Sequence, residues 1–350
     1  MELEFKPDFE AIRKRWDAFW RGENTRPALA AVLPKPGVES VSKPPYTAGR
    51  DGNFTPVIDQ LLRWAETHEF LGEALPFFYL EFAADHFATF LGADLRFHES
   101  GNGHGWAVPF IKDWDADEIR FRREGKWWEF TVQFAEALRA RCDGKLLIAS
   151  PTMVANLDAL AALRGTEELL ADLVDQPDKV HRALDQLTRA YAEILDALAE
   201  LLGYESYGCI NRFGMYSRGR VNVPQCDFSC MISAGMFREF VVPYLRREMQ
   251  LLDQSTYHLD GPGALQHLEA LCEIDELDLV QWQPGAGRGQ QQDWTWLYDR
   301  IDALGKGQYR GGTPEAVKRM WERHQSRKLF CAVSVQSREE FEGLVEEMEA

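Results

Sequence analysis

The chain has 350 residues, 45% of them hydrophobic and 27% charged, with a formal net charge of −17. Such a composition supplies a sizeable core and excludes a disordered chain. The acidic balance disfavours nucleic acid and an anionic membrane as partners, because both need a basic face.

Taken in order, Ile12, Trp16, Phe19 and Trp20 recur at helical spacing and predict an amphipathic opening helix over 9–21. The apolar run 28–33, set between Pro27 and Pro34, predicts a first strand. Residues 34–56 are rich in Pro, Gly and Ser and predict a long loop carrying Tyr46, Arg50, Asp51 and Asn53, and ordered loops of that length tend to be functional. A helix over 57–70, a strand over 77–82 and a short helix over 83–91 come next. Residues 93–111 read as two strands around a Gly-Asn-Gly-His-Gly turn, a hairpin insertion on which His98 and His104 face solvent.

A helix over 128–141 leads to a third strand at 145–150. Helical spacing then runs from 157 to 202 with breaks at Gly165 and Pro177. A fourth strand is expected at 206–211, a polar loop to 233, and a helix over 236–252 that Pro243 kinks or divides. Further strands are expected at 255–259, 279–282, 308–310 and 329–333, before a closing helix over 339–348. Alternating strands and helices imply a parallel sheet. Eight strands in a chain of this length favour closure, so the expected fold is α/β: a (β/α)8 TIM barrel in a single domain over 1–350, with an N-terminal helical extension and the β-hairpin insertion.

No apolar run is long enough to span a membrane. The charged start MELEFKPDFE has no secretion-signal pattern. The six cysteines are scattered, which suits reduced thiols, and the expected compartment is the cytoplasm.

Chemistry concentrates at 251–263, LLDQSTYHLDGPG, where a β-prone run delivers His258 and Asp260 to a glycine turn that precedes a helix. Residues two apart on a strand share a face, so these two side chains can converge on one bound atom or act as a His–Asp pair. Asp227, in QCDFSC, is a loop carboxylate available as acid or base, flanked by Cys226 and Cys230, whose spacing by itself suits packing better than a metal. Gln281 and Gln283 share one side of the sixth strand and Trp282 the other; amides beside an aromatic surface suit a polar ligand. Glu81 can point into a pocket, and Asp85 either joins it or caps a helix. The tryptophans at 106, 114, 127, 128, 282, 294 and 296 sit in loops or at element ends, where exposed rings stack on ligands or bury an interface. Neither GNGHG nor GAGRG has the strand–turn–helix context of a dinucleotide fingerprint, so no nucleotide cofactor is expected.

Three stretches together resemble the uroporphyrinogen decarboxylase superfamily, which includes the decarboxylase and cobalamin-linked or zinc-dependent methyltransferases. They are NLDALAALRGTEELLADLVDQPDKV at 156–180, DFSCMISAGMFREFVVPYL at 227–245, and HLDG at 258–261, where methyltransferase members carry His-x-Cys-Gly. The resemblance runs over roughly 146–345 and implies a barrel whose pocket lies at the C-terminal ends of the strands. The decarboxylase's Arg-rich opening loop is replaced by a region holding only Arg50, Lys35 and Lys43, so the tetrapyrrole decarboxylase itself is not expected.

For the methyltransferases the resemblance implies a metal held by His258, by Asp260 in place of a thiolate, and by Cys331 near the eighth strand. Exchanging a thiolate for a carboxylate turns such a site from zinc alone toward harder first-row metals. The expected function is metal-dependent methyl or one-carbon transfer on a small metabolite. Asp227, His258 and Asp260 would be catalytic, and Arg50, Glu81, Trp282 and Gln283 would bind substrate. Two alternatives are a metal-independent decarboxylase or lyase using Asp227 and His258 as acid and base, and a non-catalytic barrel that binds a metabolite or a corrinoid partner. A corrinoid protein and a second copy of the chain are the macromolecular partners expected.

Overall fold

A computed structural model describes residues 2–98, 105–285, 287–324 and 328–349. The strands are β1 (Ala28–Pro34), β2 (His68–Gly72), β3 (Phe77–Tyr79), β4 (Asp94–Phe97), β5 (Gly105–Val108), β6 (Leu147–Ala149) and β7 (Cys209–Ile210). They continue with β8 (Tyr216–Ser217), β9 (Val221–Asn222), β10 (Gln254–Asp260), β11 (Leu279–Gln283), β12 (Gly307–Gly312) and β13 (Leu329–Val333). Each expected strand coincides with one of these: β1, β3, β6, β7, β10, β11, β12 and β13. The hairpin insertion is β4 paired antiparallel with β5; its turn, with His104, lies outside the described residues.

The main sheet has seven strands in the order β2-β1-β13-β12-β11-β10-β9. Its neighbours from β1 to β9 run parallel, and β2 lies antiparallel on the outer edge of β1. β3 and β6 form a separate parallel pair, and β7 and β8 a small antiparallel one. The fold is α/β with a parallel sheet, as expected; among the described residues its ladders do not join into one closed ring. The sequence reading missed β2, because His68–Leu71 prolongs the apolar spacing of the preceding helix, Phe54–Thr67. The backbone turns extended at His68, and the chain leaves β2 at Gly72 with φ +58, where an added Cβ would stand 2.2 Å from the Leu29 carbonyl oxygen.

Strand alternation sorts the core. Phe330, Leu279 and Ala28 face the opening helix, Phe9–Trp20, whose buried residues Phe9, Ile12, Trp16, Phe19 and Trp20 form one stripe. Trp16 packs on Phe330 with centroids 5.2 Å apart, and the Trp20 indole donates to the Tyr216 carbonyl at 2.7 Å. This helix therefore covers the inner face of the sheet, and losing Trp16 would cost about 3–5 kcal/mol. On the opposite face, Leu29, Leu329, Cys331 and Val333 pack with Val317, Phe341 and Leu344 of the two closing helices, Pro314–His324 and Arg338–Glu349. Pro243 begins a second helix, Val242–Met249, directly after Ala234–Phe240. Among the described residues no helix is long and apolar enough to cross a membrane.

Candidate functional site

His258 and Asp260 are carried on the inner face at the C-terminal end of β10, with Tyr257 and Leu259 turned into the opposite core. Register pairs His258 with Gln281 and Asp260 with Gln283 on β11, so four polar side chains share the inner surface of two strands. Asp227 arrives from another direction, at the start of a 3-10 turn, Asp227–Met231. The Asp158 carboxylate holds that turn by accepting from the backbone N–H groups of Asp227 at 2.9 Å and Phe228 at 2.8 Å. Asp158 is itself set by the Asn156 cap of its helix, Leu157–Arg164.

The outcome is a cluster in which one ligand atom from each of Asp227, His258 and Asp260 lies within 4.8 Å of the others. The tautomer of His258 is fixed from β11. The Gln281 amide donates its N–H to the Trp282 carbonyl at 2.9 Å, which turns its oxygen toward His258 Nδ1. Nδ1 is then the protonated nitrogen, and the Nε2 lone pair is left for a proton or a metal. Burial and the Arg212 guanidinium lower the His258 pKa, which keeps the ring neutral. One oxygen of Asp260, Oδ1, is buried without a hydrogen-bond partner. Asp227 keeps an outer edge open to solvent, yet burial, Asp158 and Asp260 push its carboxyl up to about 7 against the pull of Arg212. A neutral imidazole, an orphaned carboxylate oxygen and a second carboxylate form a donor set that fits a divalent cation.

Arg212 was not singled out in the sequence, although it stands two residues beyond β7 and strand ends are where polar pocket groups belong. The turn after β7 aims it: Asn211 Oδ1 accepts from Phe213 N at 3.0 Å and Met215 N at 3.1 Å. The guanidinium donates to Thr152 Oγ1 at 3.0 Å and to Gln225 Oε1 at 2.6 Å. Gln225 in turn donates to Asp227 Oδ2 at 3.2 Å, linking Arg212 to the cluster through one amide. Glu81 is buried on the same side, accepting from Thr152 N at 2.9 Å, and burial raises it to about 7. Tyr79 bonds the Thr152 hydroxyl, and Tyr46 of the long loop stands over Tyr79 with ring centroids 5.5 Å apart.

Other expected residues stand outside the three-residue cluster. Cys331 is fully buried on the outer face of β13 among Leu29, Val317 and Phe341, because the inner position of that strand belongs to Phe330; it is not part of the cluster. Trp282 is also on the outer side, packed edge-on against Trp294 at 4.8 Å, so it does not share a face with Gln283. Arg50 lies over the Phe97 ring at 4.6 Å, on the hairpin. Asp85 does not cap its helix but accepts from Ala107 N at 2.9 Å, joining the hairpin to the body. Of the seven tryptophans expected to be exposed at ligand or interface surfaces, Trp106 and Trp296 are exposed; Trp114, Trp127, Trp128, Trp282 and Trp294 are core. Trp106 lines a cavity of about 470 Å³ with Asp85, Asp158, Gln225, Asp227, Phe228 and Met231. That cavity opens beside the cluster.

No protein-family profile matches the chain, and no curated relative does. Among solved structures it is similar to a methyltransferase from Methanosarcina mazei, with a TM-score of 0.59 over 97% of this chain and 98% of that one, at 12% identity. At that identity the likeness speaks to the fold.

Proposed function

We propose that this chain is a uroporphyrinogen decarboxylase-like (β/α)8 enzyme. It would hold a divalent metal at Asp227, His258 and Asp260 and catalyse methyl or one-carbon transfer on a small metabolite. The observation that carries the reading is the convergence of those three side chains, one with an orphaned buried oxygen, at the C-terminal ends of parallel strands. The likeness to a methyltransferase over nearly the whole chain supports the fold on which this reading is built, and the reaction class is argued from the site.

Asp227 takes the place that the resemblance assigned to Cys331, giving one nitrogen and two carboxylates, a set suited to zinc, manganese, iron(II) or cobalt. When bound, such a cation supplies Lewis-acid polarisation of a substrate oxygen or nitrogen. The chain's own groups do the rest. Gln281 keeps the His258 lone pair directed inward, Gln225 orients the Asp227 carboxylate, and the cavity beside Trp106 and Met231 gives the substrate an apolar wall. Gln283, half-buried opposite Asp260, offers an amide to a polar substrate group. Elemental analysis after loading tests the reading: one equivalent of zinc or manganese is expected, together with chelator-sensitive transfer of methyl from methylcobalamin to small acceptors. Protein that binds no metal overturns it.

A second reading is favoured by Asp227 itself. A carboxyl held near 7 beside a neutral imidazole is a proton donor and acceptor pair usable at neutral pH, the requirement of a decarboxylase or other lyase. Turnover that survives a strong chelator would select it.

A further inference from the structure

We propose that Arg212, linked to the cluster through Gln225, is its anion-recognition residue, so that the substrate carries a carboxylate next to the group that reacts at Asp227, His258 and Asp260. The inference rests on that cluster being the reaction site, and it adds the substrate's charge.

The first observation is what Arg212 lacks. Two other arginines with mostly covered side chains each hold a carboxylate: Arg26 meets Glu73 at 3.0 Å and Arg164 meets Asp172 at 2.7 Å. Arg212 forms no ion pair among the described residues, and both its hydrogen-bond acceptors, Thr152 Oγ1 and Gln225 Oε1, are neutral. Its Nε is buried with no partner. A guanidinium cannot shed its proton to escape this cost, and a largely covered cation with no carboxylate in contact is expensive to hold.

The second observation is what surrounds it. Thr152 and Gln225 tie down the two Nη atoms, so the fork is fixed before any ligand arrives and little side-chain entropy is left to lose. Glu81 is near enough to be felt, but one of its oxygens is turned to the Thr152 backbone N–H. Asp227 is oriented by Gln225 toward the cluster. The charged neighbours of Arg212 are thus both acidic. One cation amid two acids suits a singly charged carboxylate better than a dianionic phosphate. The Gln225 amide spans Arg212 and Asp227, which sets a short distance between the substrate's carboxylate and its reacting atom.

The test compares 3-methoxypropionate with 3-methoxypropionamide, which share a skeleton and an ether oxygen and differ in that a neutral amide replaces the charged carboxylate. Dissociation constants would be measured by ligand-observed NMR on the full chain, zinc-loaded and metal-free. Wild type should prefer the acid by about tenfold or more in both states. Arg212→Gln should erase that preference with zinc stoichiometry unchanged, and Arg212→Lys should retain part of it. Equal affinity for acid and amide, binding of neither, or a preference that persists in a folded Arg212→Gln protein overturns the proposal. The two readings fail separately: acid preference without zinc uptake removes the metal and leaves Arg212, and zinc uptake without acid preference does the reverse.

Discussion

β10 pairs with β11 over Thr256–Asp260 and Leu279–Gln283, and β12 pairs with β13 over Gln308–Gly312 and Leu329–Val333. The geometry of the two pairs is the same, both parallel in one sheet, yet their inner faces carry opposite chemistry. On the first pair the inner positions toward the C-terminal end are His258, Asp260, Gln281 and Gln283. On the second they are Tyr309 and Phe330, stacked at 5.1 Å and continued by Phe213 at 4.9 Å from Tyr309, and then the small Gly311 and Ala332. One pair offers ligands; the other offers an apolar wall. Cys331 belongs to the second pair, one residue out of phase with its inner face, so alternation alone decides that it packs and does not ligate.

The largest expected effect comes from truncating one residue of each pair and measuring metal binding. His258→Ala should weaken zinc or manganese binding by more than about 100-fold, since even the outer partners of metal ligands are worth 10–100-fold. Cys331→Ala should leave metal affinity within about twofold and cost about 1 kcal/mol of stability through lost packing. Isothermal titration with the metal alone, beside thermal unfolding, reads both. A Cys331 variant that loses metal would place the thiol in the site and reverse the contrast.

A second expected effect concerns what supports the polar pair. Glu248, fully buried in the helix Val242–Met249, accepts from Ala155 N at 3.1 Å and Asn156 Nδ2 at 3.4 Å. Asn156 in turn donates to the Gln225 carbonyl beside the cluster. Burial raises this carboxyl from 4.5 to about 8. The folded state therefore binds the proton more tightly than the unfolded chain does. The stability it contributes is complete below pH 4.5 and is lost as pH rises through about 8. Glu248→Gln mimics the neutral acid and should remove that loss. Denaturant titrations at pH 6 and pH 9 should show the wild type falling behind the variant by a few kcal/mol at the higher pH; parallel pH profiles would contradict it.

The sequence carried the fold further than the site. Strands and helices follow local spacing, and eight strand positions were readable because apolar runs end at Pro, Gly or polar clusters. His258 and Asp260 were readable for the same reason, being two residues apart on one strand. Arg212, Asp158 and Gln225 were not, because their roles depend on contacts such as Asp158 to Asp227 across 69 positions, which no local pattern encodes. Cys331 fails in the opposite way: period two places it one residue out of phase with the inner face of β13, and the family pattern points to a ligand there all the same. Period two also puts Trp282 on the face opposite the glutamines, where the structure has it, and that placement leaves the ring packing and not binding substrate.

Gln281 contributes to the polar pair by a smaller amount. It does not touch the candidate metal position; it fixes which nitrogen of His258 faces inward. Gln281→Leu should keep the β10–β11 ladder and lower metal affinity about 10–100-fold, as loss of an outer-shell partner does. Gln281→Glu, which accepts from Nδ1 in the same way, should restore most of it. Equal loss in both variants would show that packing, not tautomer control, is what His258 needs.

The smallest expected effect tests the outer face directly. Trp282 is one residue from both glutamines, and a ring beside two amides looks like part of a binding surface. In the fold it meets Trp294, its Nε1 is buried without a partner, and its neighbours on that face are the core residues Leu259 and Val280. Removing the orphaned N–H while keeping an aromatic ring offsets lost packing against relieved desolvation, so Trp282→Phe should change stability by no more than about 1–2 kcal/mol. Metal affinity and the acid-over-amide preference should stay within about twofold, because strand alternation separates this ring from the inner face. A tenfold drop in either would mean that the two faces of β11 are coupled, and that the polar character of this strand pair depends on what packs behind it.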